Sequence, residues 1–135
     1  MSGRRAALLA VGLIAATLAA LAAPPLPALA GNGCGPAGFG FLVPDRPLGF
    51  DFRAACERHD ACYTTPWREI DATRALAKDR CDAGLLGDLD EACLADADLS
   101  DRRLDVCLDL ANDYYRAVRS WLGELAYARA QRWQR

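Results

Sequence analysis

Six cysteines, at positions 34, 56, 62, 81, 93 and 107, constrain this chain more than any other feature, and none lies in the first thirty residues. Those thirty differ in kind from the rest of the chain. Arg4 and Arg5 lead an apolar run from Ala6 to Ala23, which ends in Pro24, Pro25 and Pro27 and the small-residue sequence Ala28-Leu29-Ala30. That pattern reads as a secretory signal peptide over residues 1–30. A retained transmembrane anchor is the weaker alternative, because the run is Ala-rich, short for a span and closed by prolines. Residues 31–135 then suffice for one small domain and not two. An even cysteine count in a small exported chain implies a disulfide framework. A Cys/His zinc site is the competing reading, but the spacings match no common zinc pattern and export favours oxidation.

The leader holds two of the sixteen basic residues and none of the eighteen acidic ones, so its removal takes the formal net charge from −2 to −4. No basic patch points to nucleic acid. The same balance gives no electrostatic pull toward anionic membranes, so lipid contact would rest on apolar groups.

From Gly31 to Gly49 the chain carries six glycines and three prolines, which forbids regular structure and predicts a long loop. Long ordered loops in small domains are usually functional. Its start, Gly31-Asn32-Gly33-Cys34-Gly35, leaves the backbone free to turn carbonyls inward, as a site for a hard cation needs. The adjoining Gly38-Phe39-Gly40-Phe41-Leu42-Val43 reads either as a core plug or as a lipid-facing rim.

Beyond the loop the periodicity is helical and the fold class is mainly α. Asp51 is placed to cap a helix running through Tyr63, with Phe52, Ala55, Cys56, His59, Cys62 and Tyr63 near one stripe. A second helix is predicted from near Ile70 to Leu86, weakened at its end by Gly84 and Gly87. Asp88 to Ser100 reads as acidic and irregular around Cys93, with a short hairpin as the one β alternative. Ser100 is placed to cap a last helix through Leu104, Cys107, Leu108, Ala111, Tyr114 or Tyr115, Val118, Trp121 or Leu122 and Leu125, with Trp121 expected in the interior.

The sequence Cys56-Glu57-Arg58-His59-Asp60-Ala61-Cys62-Tyr63 contains the only histidine. In a helix, at about 100° per residue, His59 falls roughly 60° from each flanking cysteine. Tyr63 shares its face one turn later, and Asp60 projects to its side. By default such a histidine is packed and hydrogen-bonded. Cys56 and Cys62 lie about 240° apart around the helix, so they cannot bond each other and must reach different partners. The nearest in the chain are Cys34 and Cys81. If Cys62 bonds Cys81 across antiparallel helices, His59 and Asp82 are offset by only about 3 Å along the axes, and carboxylate reaches imidazole. A Cys34–Cys56 bond would hold the glycine loop near Asp60. That convergence suits a calcium-assisted hydrolase. Asp79 and Asp88 are rival carboxylates, while Arg58, Lys78 and Arg80 read as surface charges.

These residues resemble the secreted phospholipase A2 family. Cys56 to Tyr63 matches its Cys-x-x-His-Asp-x-Cys-Tyr signature. The approach Pro44-Asp45-Arg46-Pro47-Leu48-Gly49-Phe50-Asp51-Phe52 is closer to the small bacterial and fungal branch, and Arg80-Cys81-Asp82-Ala83 and Tyr114-Tyr115-Arg116-Ala117-Val118 are similar to it as well. The resemblance implies a disulfide-stapled domain of two antiparallel catalytic helices, a Gly-rich calcium loop and a C-terminal helix, occupying residues 31–135. It implies calcium-dependent hydrolysis of the sn-2 ester of glycerophospholipids by a secreted, monomeric enzyme at a membrane or micelle surface. His59 would be the general base, Asp82 would hold its ring, and Tyr63 would bond Asp82. Asp60, Asn32 and the Gly33 carbonyl would hold calcium. Asn32 stands where the bacterial branch has an aspartate, and Cys34-Gly35-Pro36-Ala37-Gly38 is one residue out of register with the animal Cys-Gly-x-Gly-Gly loop. The implied bridges are 34–56, 62–81 and 93–107, among 15 conceivable pairings. The alternative within the family is a secreted binding or toxin-like protein that has lost turnover. An unrelated disulfide-rich interaction protein would account for the cysteines but not for the converging histidine and carboxylates.

Overall fold

Among the described residues the first α-helix begins after Phe52, a side chain with no exposed surface whose ring meets Tyr114 edge-on at 5.3 Å. This computed structural model describes residues 33–35 and 43–132; residues 1–32, with the expected leader and Asn32, residues 36–42 and residues 133–135 lie outside the described residues. A 3₁₀ turn at Pro47–Gly49 precedes α1 (Arg53–Thr64), the single turn α2 (Trp67–Ile70), α3 (Arg74–Leu94), α4 (Asp101–Val118) and α5 (Trp121–Arg132). No strand occurs among the described residues, so the class is mainly α and the hairpin alternative at Cys93 falls away. Helix α3 packs chiefly on α4 and α1, and α5 closes over α1 and α4.

Several boundaries differ from those predicted, each for a physical reason. Asp51 is not the α1 cap: burial of Phe52 puts that residue at the cap position, and Asp51 accepts from the Arg53 amide at 3.2 Å one step earlier. The second helix starts after Thr73, whose hydroxyl accepts from the Leu76 amide, and it runs on to Leu94. The acidic stretch around Cys93 is therefore mostly helical, not irregular. Cys81, Leu85, Leu89 and Cys93 recur every fourth residue and are all buried, so packing of that stripe overrides the weak helix propensity of Gly84 and Gly87. Ser100 does occupy the cap position of α4, but its side chain makes no capping bond.

The predicted last helix is two helices. Ser120 Oγ turns back to donate to the Ala117 carbonyl, a local bond that competes with helix continuation, and the chain reverses there. A Cβ on Gly123 would sit 1.7 Å from the Val118 carbonyl oxygen, so only glycine lets the first turn of α5 lie on the end of α4. The reversal turns Gly123, Tyr127 and Gln131 inward and leaves Trp121 69% exposed beside exposed Leu122 and Leu125, contrary to the expected burial of Trp121. No helix is long and apolar enough to cross a membrane among the described residues.

Three disulfides join Cys34 to Cys56, Cys62 to Cys81 and Cys93 to Cys107. These are the pairs the resemblance implied. They tie the loop to α1, α1 to α3, and α3 to α4, so consecutive pieces of the chain are stapled in order.

The helical glycines separate into two kinds. Gly84→Ala and Gly87→Ala meet open space, so each should raise the unfolding free energy by about 0.5–1 kcal/mol. Gly123→Ala should lower it by about 1–3 kcal/mol. Urea denaturation of the three variants checks both signs.

Candidate active site

Helices α1 and α3, joined by the Cys62–Cys81 bridge, bring His59 and Asp82 together from positions 23 apart in sequence. Ring nitrogen Nε2 of His59 lies 3.0 Å from Asp82 Oδ1. An ionised carboxylate only accepts, so this contact places the proton on Nε2 and leaves Nδ1 as a lone-pair acceptor. Nδ1 has no hydrogen-bond partner among the described residues and is not among the polar atoms sealed from solvent. Tyr63 Oη donates to the same Oδ1 at 2.6 Å, its ring tilted against the imidazole with centroids 4.1 Å apart. Of the rivals, Asp79 is engaged by Arg119 at 2.7 Å and Asp88 by Arg58 at 2.7 Å, both away from the imidazole.

One neighbour departs from expectation. Lys78 is not a surface charge: the residue is 3% exposed, and its Nζ donates to Asp82 Oδ2 at 2.7 Å and to the Val118 carbonyl at 2.9 Å. Lys78 precedes Asp82 by one helical turn, the spacing at which side chains of one helix meet. That spacing was the available signal, and it was masked by the ordinary exposure of lysines. Arg58 and Arg80 do lie at the surface, paired with Asp88 and Asp71.

Asp82 has no exposed surface and receives three side-chain donors. Burial alone pushes its carboxyl up, but the hydrogen bonds from His59, Lys78 and Tyr63 outweigh that and hold it below the usual range. Tyr63 is driven far up, by burial first and then by its bond to Asp82, so the phenol stays a donor. A second cluster supports Tyr63 from behind: the Tyr127 ring meets it edge-on at 4.9 Å, and Gln131 Nε2 donates to the carbonyls of Tyr63 and Thr65, each at 2.7 Å.

Asp60 stands beside this network without joining it. Its Oδ2 is sealed from solvent with no hydrogen-bond partner among the described residues, and burial pushes its carboxyl up to about 6, with Glu57 adding to the rise and His59 opposing it. On the loop that the Cys34–Cys56 bridge ties to α1, the Cys34 amide donates to Asp45 Oδ1 at 2.7 Å. Gly33, at φ +116°, lies so close to Asp45 that a Cβ there would overlap the carboxylate. Gly33 and Asp60 are the two expected cation ligands within the described residues; Asn32 is outside them. No group of three His, Cys, Asp or Glu side chains poised for a metal occurs among the described residues, so any cation here would draw on backbone or amide oxygens as well.

A small helical domain stapled by disulfides, with an imidazole backed by a buried carboxylate, defines a class of helical hydrolase scaffold. The family model of the prokaryotic phospholipase A2 matches residues 28–122, and the chain belongs to that family. It is thus a lipolytic hydrolase of the phospholipase A2 type, with lipid as its substrate. No curated protein matches the chain. Nearly all of α5 lies beyond the residues matched to the family.

Two carboxylates with opposite shifts give the stability a pH signature in the absence of divalent cations. The folded value of Asp82 is depressed, so its contribution is present above the unfolded value and is lost as pH falls through the folded one. The folded value of Asp60 is raised, so its contribution is complete below the unfolded 3.8 and is lost as pH rises through about 6. In chelator Asp60 should lower the melting temperature between about pH 4 and pH 6, and Asp60→Asn should abolish that contribution. Thermal melts across the range check it.

Proposed function

We propose that this chain is a secreted, calcium-dependent phospholipase A2 that hydrolyses the sn-2 ester of glycerophospholipids, with His59 as general base. The observation that carries the reading is the His59 Nε2–Asp82 Oδ1 contact, which fixes one ring nitrogen and leaves the other as an acceptor. A water on the Nδ1 side gives its proton to that lone pair as its oxygen attacks the ester carbonyl carbon. The imidazolium so formed faces the Asp82 carboxylate, whose charge stabilises it. Nδ1 then returns the proton to the departing alkoxide as the ester C–O bond breaks, yielding a fatty acid and a lysophospholipid.

Calcium fits the residues present through Asp60. A buried carboxylate oxygen without a donor is costly, and a hard cation is the partner it lacks. Asp60 with Asn32 and the Gly33 carbonyl would hold the ion; when bound, it would supply positive charge for the ester carbonyl and the substrate phosphate. Asn32 in place of a carboxylate makes that ligand set less negative. Secretion is supported by the leader-like first thirty residues together with three disulfides in the domain after them.

The test is release of a labelled sn-2 acyl chain from a phospholipid, with calcium and with chelator. His59→Ala should lower the rate by about 10²–10⁴-fold, and chelator should suppress the wild-type rate. Equal rates for wild type and His59→Ala would end the general-base reading. Undiminished hydrolysis in chelator would remove calcium while sparing the histidine.

A further inference from the structure

Lysine is among the costliest side chains to bury without a partner, and Lys78 is buried where α3, α4 and α5 meet. Its ammonium donates to Asp82 Oδ2 at 2.7 Å and to the Val118 carbonyl at 2.9 Å, and it forms an ion pair with Glu124 Oε1 at 3.3 Å. The Val118 carbonyl belongs to the last turn of α4, the negative end of that helix, which suits a cation. Glu124 belongs to α5, largely beyond the family-matched residues. The two oxygens of Asp82 are thereby divided: Oδ1 takes His59 Nε2 and Tyr63 Oη, and Oδ2 takes Lys78 Nζ.

We propose that Lys78 is a positioning residue for the hydrolysis. By pinning Asp82 Oδ2 it fixes the plane of the carboxylate, so that Oδ1 stays directed at His59 Nε2 and the ring keeps the tautomer that exposes the Nδ1 lone pair. Helix α5, through Glu124, and the end of α4, through Val118, become parts of the same support. Without Lys78 the carboxylate keeps both donors on one oxygen and has none on the other, and rotation about its terminal torsion is opposed from the Oδ1 side alone. The inference rests on the general-base reading of His59 and deepens it.

His59 is the only histidine, so ¹⁵N-histidine labelling gives a single pair of ring-nitrogen resonances that report the tautomer directly. At a pH where the ring is neutral, the wild type should show the Nε2–H form, and Lys78→Met should show a mixture with Nδ1–H. On a short-chain phospholipid below its micelle concentration, kcat of Lys78→Met should fall about 10–100-fold, the loss typical of an outer partner of a site, with KM little changed. Since Lys78 acts through Asp82, adding Lys78→Met to Asp82→Asn should lower kcat no further.

An unchanged tautomer and kcat in Lys78→Met would overturn the proposal. So would an equal further loss in the Asp82→Asn background, which is the outcome of a merely structural role. Should Lys78→Met alone fail to fold, comparing Asp82→Asn with the double variant, from which both buried charges are gone, decides the matter. His59→Ala separates the layers: if it retains the wild-type rate, the general-base reading falls and this inference with it. If it is inactive while Lys78→Met is normal, only the role of Lys78 falls.

Discussion

A carboxylate with no exposed surface is the constraint around which this molecule is built. Asp82 could not remain charged in the interior without donors, and α1 supplies two of them while α3 supplies the third. Breaking such a buried pair from one side ordinarily costs about 3–5 kcal/mol, a large share of the stability of a domain this size. The helices are therefore held to their relative positions by polar geometry as well as by apolar packing. The Cys62–Cys81 bridge lies one residue from Asp82 and one from Tyr63, so covalent and polar ties reinforce each other at one place.

The apolar interior falls into two parts, which suit two tasks. One cluster joins Phe50, Phe52, Ala55 and Cys56 to Leu85, Leu89, Cys93, Cys107 and Ala111, and secures α1, α3 and α4 together. The other, around Tyr63, Cys81 and Tyr127, lies behind the histidine and is completed by α5. The first makes the domain stable, and the second keeps water and alternative rotamers away from the tyrosine that serves Asp82.

Much of this was legible in the sequence because it depended on chain-local spacing. His59 and Tyr63 one turn apart, and cysteines on opposite sides of one helix, specify a face and two anchor directions without any tertiary knowledge. The buried steps Cys81, Leu85, Leu89 and Cys93 were equally visible, yet the two glycines among them argued for an early stop, and long-range packing overruled that argument. Lys78 was illegible for a different reason. Its burial depends on the Val118 carbonyl and Glu124, forty and forty-six positions away, brought over it by a reversal at Ser120 that no periodicity announces. The same reversal determined the exposure of Trp121. The roles assigned to His59, Asp60 and calcium came from the resemblance, and the geometry adds to them a tautomer and an orphaned oxygen.

Gln131 gives the architecture a direction in time. A single amide side chain accepts from the Trp67 amide and donates to the Tyr63 and Thr65 carbonyls, completing the corner between α1 and α2 from the far end of the chain. No other side chain among the described residues bonds those three backbone groups. A chain synthesised from its N-terminus delivers α1 well before α5, so the Tyr63 and Thr65 carbonyls and the Tyr63 ring wait for their partners in α5. Until Gln131 is in place the corner beside the histidine stays wet, and Tyr63 stays unbacked.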